Sequence, residues 1–194
     1  VSIALDIAAT HFQRGQGYEL ASEGRSLDEA GTIDLLAEWA ARYPIVSIED
    51  GLGEDSWDGW RRLTERVGAN CRLVGDDLFA TSLPRLERGI AEGAANAVLV
   101  KMHQAGTLTE TLAGLDRARE AGFAAVVSAR SGETEDDFLA DLAIAGGAGQ
   151  IKVGSVTRSE RLAKWNRLLR IEQRAMRSGD GPRGFSESRA LLHR

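Results

Sequence analysis

Short apolar runs rich in Val, Ile, Leu and Ala alternate along this chain with longer stretches whose apolar residues recur at helical spacing. The short runs barely alternate in polarity, which predicts strands buried on both faces, and the longer stretches predict helices that cover them. The strands are VSIALD, ending at Asp6, and then residues 45–49, 72–75, 97–101, 124–128 and 150–153. After the last five of these come helices at 55–68, 83–92, 107–120, 133–145 and 159–176. Before them, two Gly residues flanking Gln16 predict a small hairpin excursion within residues 11–24. A further helix runs from Ser26, paired with Glu29 in a capping box, to Arg42, and Pro44 stops it. From the second strand on, strand ends recur at roughly 22 to 29 residues, the βα repeat of a parallel sheet.

No GxGxxG follows the first strand, which disfavours a dinucleotide-binding doubly wound sheet. The pattern predicts the α/β class, as an incomplete (β/α)8 TIM-type barrel of about six βα units. The barrel is expected over residues 1–177, with residues 178–194, rich in Gly, Ser and Arg without a period, as a mobile tail. Val1 lies inside an element and no initiator Met precedes it, so a piece of a larger functional unit is expected.

Each strand-like run ends in a charged residue or a short motif containing one. Strand stability does not call for this, since Asp and Glu are poor strand formers. Asp6, Glu49 and Asp76 end three strands expected to be adjacent, and three carboxylates brought together repel unless a cation sits among them. An all-oxygen set suits a hard ion such as Mg²⁺. Taken singly, each acid could instead cap the turn that follows it. Asp50 and Asp77 read as supporting or loop-capping groups, and Glu54 and Asp55 as the polar first turn of the next helix. Lys101 and Lys152 also end apolar strands, either as salt-bridge partners across the mouth or as an amine base and a substrate contact. Arg130 and Ser131, before GETED and a helix start, make a cradle for phosphate or carboxylate, or else a capped helix with a structural Arg. Together these groups suit proton abstraction beside a carboxylate.

Composition narrows the partners. The net charge of −5 over 194 residues argues against a nucleic-acid surface. Basic residues cluster only from Arg158 to Arg177, which reads as a solvated helix face. The lone Cys71 has no partner and reads as a buried or half-buried small residue. No apolar run approaches the ~18 residues of a membrane span, and no signal peptide opens the chain, so a cytoplasmic location is the default.

The segments ALDIAATHF, YPIVSIEDGLGEDSWDGW, LVGDDLFAT, GTLTET, SARSGETEDDFLADLA, GQIKVGS and RSERLAKWNRLLRIE occur in an order that resembles the C-terminal barrel of bacterial enolase, over about residues 2–174. The resemblance implies Mg²⁺ as cofactor, with Asp6, Glu49 and Asp76 as its ligands. It implies Lys101 as the base that removes the C2 proton of 2-phosphoglycerate. Arg130 and Ser131 are then phosphate contacts and Lys152 a further substrate contact. The reaction implied is the reversible, glycolytic dehydration of 2-phosphoglycerate to phosphoenolpyruvate, by a full-length form that is a homodimer.

Departures from the family pattern are Ala129, where enolases have His before the Arg-Ser pair, and His103, where Asn is usual. His11, Thr10 and Val153 are milder changes. Enolases carry the acid for hydroxide departure on an earlier barrel strand, and an N-terminal domain whose loops close over substrate. Neither matches a segment here, so this chain by itself is expected to be inactive. Two alternatives stay open: a non-catalytic enolase-like binding or scaffold protein, and a related barrel acting on another carboxylate.

Overall fold

The six apolar runs pair side by side into one parallel sheet. The computed structural model describes residues 1–15 and 17–178. In chain order the elements are β1 (Ile3–Asp6), β2 (Gln13–Arg14), β3 (Gly17–Leu20), β4 (Arg25–Asp28), α1 (Glu29–Arg42), β5 (Ile45–Glu49), α2 (Trp57–Val67) and β6 (Arg72–Gly75). They continue with α3 (Leu83–Glu92), β7 (Ala97–Val100), α4 (Met102–Ala105), α5 (Leu108–Glu120), β8 (Ala124–Ser128), α6 (Phe138–Ala145), β9 (Gln150–Lys152) and α7 (Ser159–Ser178). The parallel sheet has the order β1-β5-β6-β7-β8-β9. It curls as an incomplete barrel, because side chains on its two edge strands, Asp6 on β1 and Lys152 on β9, meet at 2.7 Å.

Burial on both faces explains the apolar runs. In β7, Val98 and Val100 join the main core against the helices, while Ala97 and Leu99 join Val74 and Val126 on the concave face. Each such Val or Leu removed from water contributes about 1.5–3 kcal/mol. At the amino ends of the strands Asn96 replaces missing ladder bonds. Its Oδ1 accepts from the Leu73 amide at 2.7 Å, and its Nδ2 donates to the Gly68 and Cys71 carbonyls. Cys71 is buried, as expected, and burial pushes its thiol up to about 11. No helix among the described residues is long and apolar enough to cross a membrane.

The excursion after β1 is larger than a hairpin. β2, β3 and β4 form a three-stranded antiparallel sheet, and Ser26 pairs with Glu19 within it. The α1 cap is therefore Asp28, not Ser26, and its Oδ1 accepts from the Gly31 amide at 2.7 Å. This small sheet is fastened to the loop after β5 by Tyr18, whose buried hydroxyl accepts from the Gly53 amide at 2.9 Å. The helix expected at 133–145 begins only at Phe138, because side chains in the preceding loop capture backbone amides. Glu133 accepts from Arg130, and Asp136 from Phe138. The expected tail lies beyond Ser178, outside the described residues.

Phe79 is wedged where β6 and α3 meet. Its ring lies 6.4 Å from Trp57 and 6.3 Å from Phe123, centroid to centroid. A Cβ on Gly75 would come within 2.6 Å of it, and one on Gly89 would overlap it. The ring has no room to retreat. Gly89→Ala gains about 1 kcal/mol of helix propensity but overpacks the core, at a cost of about 1–3 kcal/mol. We expect net destabilisation in urea unfolding, and Phe79→Leu combined with Gly89→Ala should recover part of it.

Candidate active site

Parallel register brings the strand-end acids together. Asp6 pairs with Glu49 across β1 and β5, and Asp76 follows the end of β6. Lys152, ending β9, donates to Asp6 Oδ2 at 2.7 Å and to Glu49 Oε1 at 2.6 Å. Lys101, at the junction of β7 and α4, donates to Asp76 Oδ2 at 2.6 Å. Its own amide is pinned by Thr81 Oγ1 at 3.0 Å. The group opens to solvent on one side only: the side chains of Asp6 and Lys152 are 46% and 39% exposed, those of Asp76 and Lys101 13% and 16%.

The electrostatics follow from this burial. Burial pushes the Glu49 carboxyl up to about 7; Lys152 opposes the rise, while the charges of Asp6 and Asp76 add to it. For Lys152 burial disfavours the ammonium, but its hydrogen bonds to Asp6 and Glu49 outweigh it and hold the group above the usual lysine range. Asp76 Oδ1 is buried and accepts no hydrogen bond. An unpartnered carboxylate oxygen, with an all-oxygen donor set around it, fits a hard divalent ion. The oxygen chemistry of Asp6, Glu49 and Asp76 fits Mg²⁺, although the three do not bring one oxygen each within 4.8 Å of one another.

Among the described residues the tightest acidic group is Asp50, Asp76 and Asp77, whose nearest oxygens all lie within 4.8 Å of one another. Asp50 is already committed. Its Oδ1 accepts from the Asp76 amide and its Oδ2 from the Asp77 amide, both at 2.9 Å. Burial pushes its carboxyl up to about 6 despite these two bonds. It thus clamps the turn that carries Asp76, in keeping with a loop-capping role. Its φ of 43° lies in the left-handed region, which Asp and Asn tolerate better than other non-glycine residues.

Arg130 and Ser131 stand apart from these groups. Both are exposed, and no described hydrogen bond or ion pair joins their side chains to the lysines or the three acids. The helix start expected beside them is absent, since α6 begins at Phe138. In its place the Arg130 amide donates to Glu133 Oε1 at 2.7 Å. Ala129 leaves a nearly buried apolar group beside the mouth, and its amide ties β8 to β9 through the Lys152 carbonyl at 2.9 Å. The charge of His103 helps to lower the Glu133 carboxyl.

Sequence reading missed Arg161 and Lys164. It placed them on a solvated helix face, yet both are buried in α7 behind the Arg130–Ser131 loop. The available signal was spacing: residues 161, 164, 168 and 171 share one helix face, and Leu168 and Ile171 mark it as inward.

The Asp50 clamp makes a specific expectation. Asp50→Ala strands two amides and leaves Ala at a left-handed φ, at a cost of about 3 kcal/mol in urea unfolding. Asp50→Asn keeps one acceptor and tolerates that backbone, so it should cost about 1–2 kcal/mol.

The acids, the lysines and the Arg130–Ser131 loop thus occupy the carboxyl ends of successive strands in a curled parallel sheet, where barrel enzymes keep their sites. The family model "enolase, C-terminal TIM barrel domain" matches residues 1–180, and the chain belongs to that family.

Proposed function

We propose that this chain carries the metal- and substrate-binding array of an enolase, for the reversible dehydration of 2-phosphoglycerate to phosphoenolpyruvate. The observation that supports it most is the pairing of two strand-end lysines with three strand-end carboxylates, Lys152 with Asp6 and Glu49, and Lys101 with Asp76. Asp6, Glu49 and Asp76 would hold Mg²⁺. When bound, the ion supplies positive charge against the carboxylate that gains charge as the C2 proton leaves. Lys101 Nζ has one carboxylate partner, and we assign it as the base for that proton. Lys152, kept charged by two carboxylates, binds substrate. Arg130 and Ser131 take the phosphate, the guanidinium by charge-assisted hydrogen bonds and the hydroxyl as a neutral donor. Hydroxide departure needs a proton from an acid outside this array, so we propose that the 194-residue chain alone forms negligible phosphoenolpyruvate. A cytoplasmic setting, no nucleic-acid partner and a homodimeric full-length form belong to the same proposal.

A second reading, a non-catalytic binding or scaffold protein, is favoured by Ala129, whose side chain offers no polar atom at the mouth.

Proton abstraction and hydroxide loss separate in one experiment. In D₂O with Mg²⁺, the chain should exchange the C2 proton of 2-phosphoglycerate for deuterium, as read by NMR, with little phosphoenolpyruvate. Lys101→Met should slow that exchange by about 10²-fold or more. Absence of exchange, with Mg²⁺-dependent phosphoenolpyruvate binding intact by calorimetry, would support the scaffold instead. Glu49→Gln should weaken Mg²⁺ binding in either case.

A further inference from the structure

Two buried cations of α7 face the back of the loop that carries Arg130 and Ser131. Arg161 Nη1 donates to the Arg130 and Val153 carbonyls, each at 2.9 Å, and Nη2 donates to the Ser131 carbonyl at 2.9 Å. Its guanidinium packs on Gly154, whose φ of +104° would strain any side chain there. Lys164 is fully buried; its Nζ lies 3.0 Å from Glu133 Oε2 and donates to the Thr134 carbonyl at 2.5 Å. Glu133 passes the restraint on, since its Oε1 accepts from the Arg130 amide at 2.7 Å. Burial works to raise the Glu133 carboxyl, but the Arg130 amide and the Lys164 ammonium outweigh it and hold it below the usual range.

Anchoring a helix does not need such groups. Buried ammonium and guanidinium ions are costly to desolvate, and well-packed apolar residues often do as well or better. What the cations add is direction. An anion approaching a loop is repelled by carbonyl oxygens, and Arg161 ties up both carbonyls, of Arg130 and of Ser131, from behind. It also adds charge: Lys164 is balanced by Glu133, whereas Arg161 has no carboxylate partner among the described ion pairs.

We infer that Arg161, with the Lys164–Glu133 pair, is a positioning residue that presets the Arg130–Ser131 loop for a phosphate group and sets the affinity of the mouth for phosphate independently of the metal. This rests on the reading of that loop as the phosphate contact.

The test uses the intact chain and two variants, Arg161→Met and the charge-neutral pair Glu133→Gln/Lys164→Met, the second in case the first does not fold. Calorimetry measures Mg²⁺ alone and then phosphoenolpyruvate in saturating Mg²⁺, and hydrogen exchange follows the Arg130 amide. A positioning role predicts a phosphoenolpyruvate dissociation constant raised about tenfold or more, a Mg²⁺ dissociation constant changed less than about twofold, and Arg130 exchange faster by about tenfold. A merely structural role predicts both ligands weakened in parallel with a fall in melting temperature, and that result, or unchanged phosphoenolpyruvate binding, overturns the inference. If the unmutated chain binds Mg²⁺ but no phosphoenolpyruvate, the phosphate reading fails by itself. The Arg130 amide then decides whether the clamp exists: faster exchange in the variants supports it, and unchanged exchange overturns it.

Discussion

Lys152 ends the last strand of the parallel sheet, and its ammonium reaches carboxylates on the first two strands, Asp6 and Glu49, at 2.7 and 2.6 Å. That contact joins residues far apart in sequence and at opposite edges of the sheet, so it depends on the curl that backbone pairing creates. The curl in turn exists because strands buried on both faces need a concave side filled by Val74, Ala97, Leu99 and Val126. Closing the sheet draws strand ends together, and strand ends here carry acids. Two lysines balance much of that negative charge. Without them, three carboxylates in one mouth would oppose the packing that gathers them.

The strand-end acids and the Arg130–Ser131 loop are each shaped by one charged clamp acting on backbone. Asp50, at the end of β5, accepts the amides of Asp76 and Asp77, so the turn that presents these carboxylates leaves neither N–H unpaired. Arg161, on α7, takes the carbonyls of Arg130 and Ser131, so both acceptors are held from behind the loop. The two are chemical opposites: an acid collects donors and a base collects acceptors. Both are buried.

What the sequence disclosed divides along the same line. Strand positions, their parallel order and the charged residues at their ends follow from local pattern, and all of these were legible. Asp50 was also recognisable, since an acid after a strand-end acid has a turn to cap. Capping was harder, because competition is not local. Ser26 was a sound cap for α1 until pairing with β3 drew it into a strand and passed the role to Asp28. The start of α6 moved to Phe138 because Glu133 answers to Lys164 on another helix. Arg161 and Lys164 were least legible. Charge run through a helix normally means solvent, and only the partners some 30 residues away make burial tolerable.

The two lysines of the mouth differ in how they are held. Lys152 is held between two carboxylates on the more open side, and releasing its proton would strand both of them against each other. Those two contacts hold its ammonium above the usual lysine range and relieve the repulsion between the acids. Lys101 answers to a single carboxylate oxygen in the more enclosed part of the mouth, and the other oxygen of that carboxylate, Asp76 Oδ1, is still unpartnered. A ligand that engages Asp76 competes for the one carboxylate that Lys101 contacts, whereas one that engages Asp6 or Glu49 competes for the two that Lys152 contacts. The same set of strand ends therefore holds its two lysines differently. The difference comes from partner count and enclosure, which the fold determines, rather than from the residue type, which is the same in both.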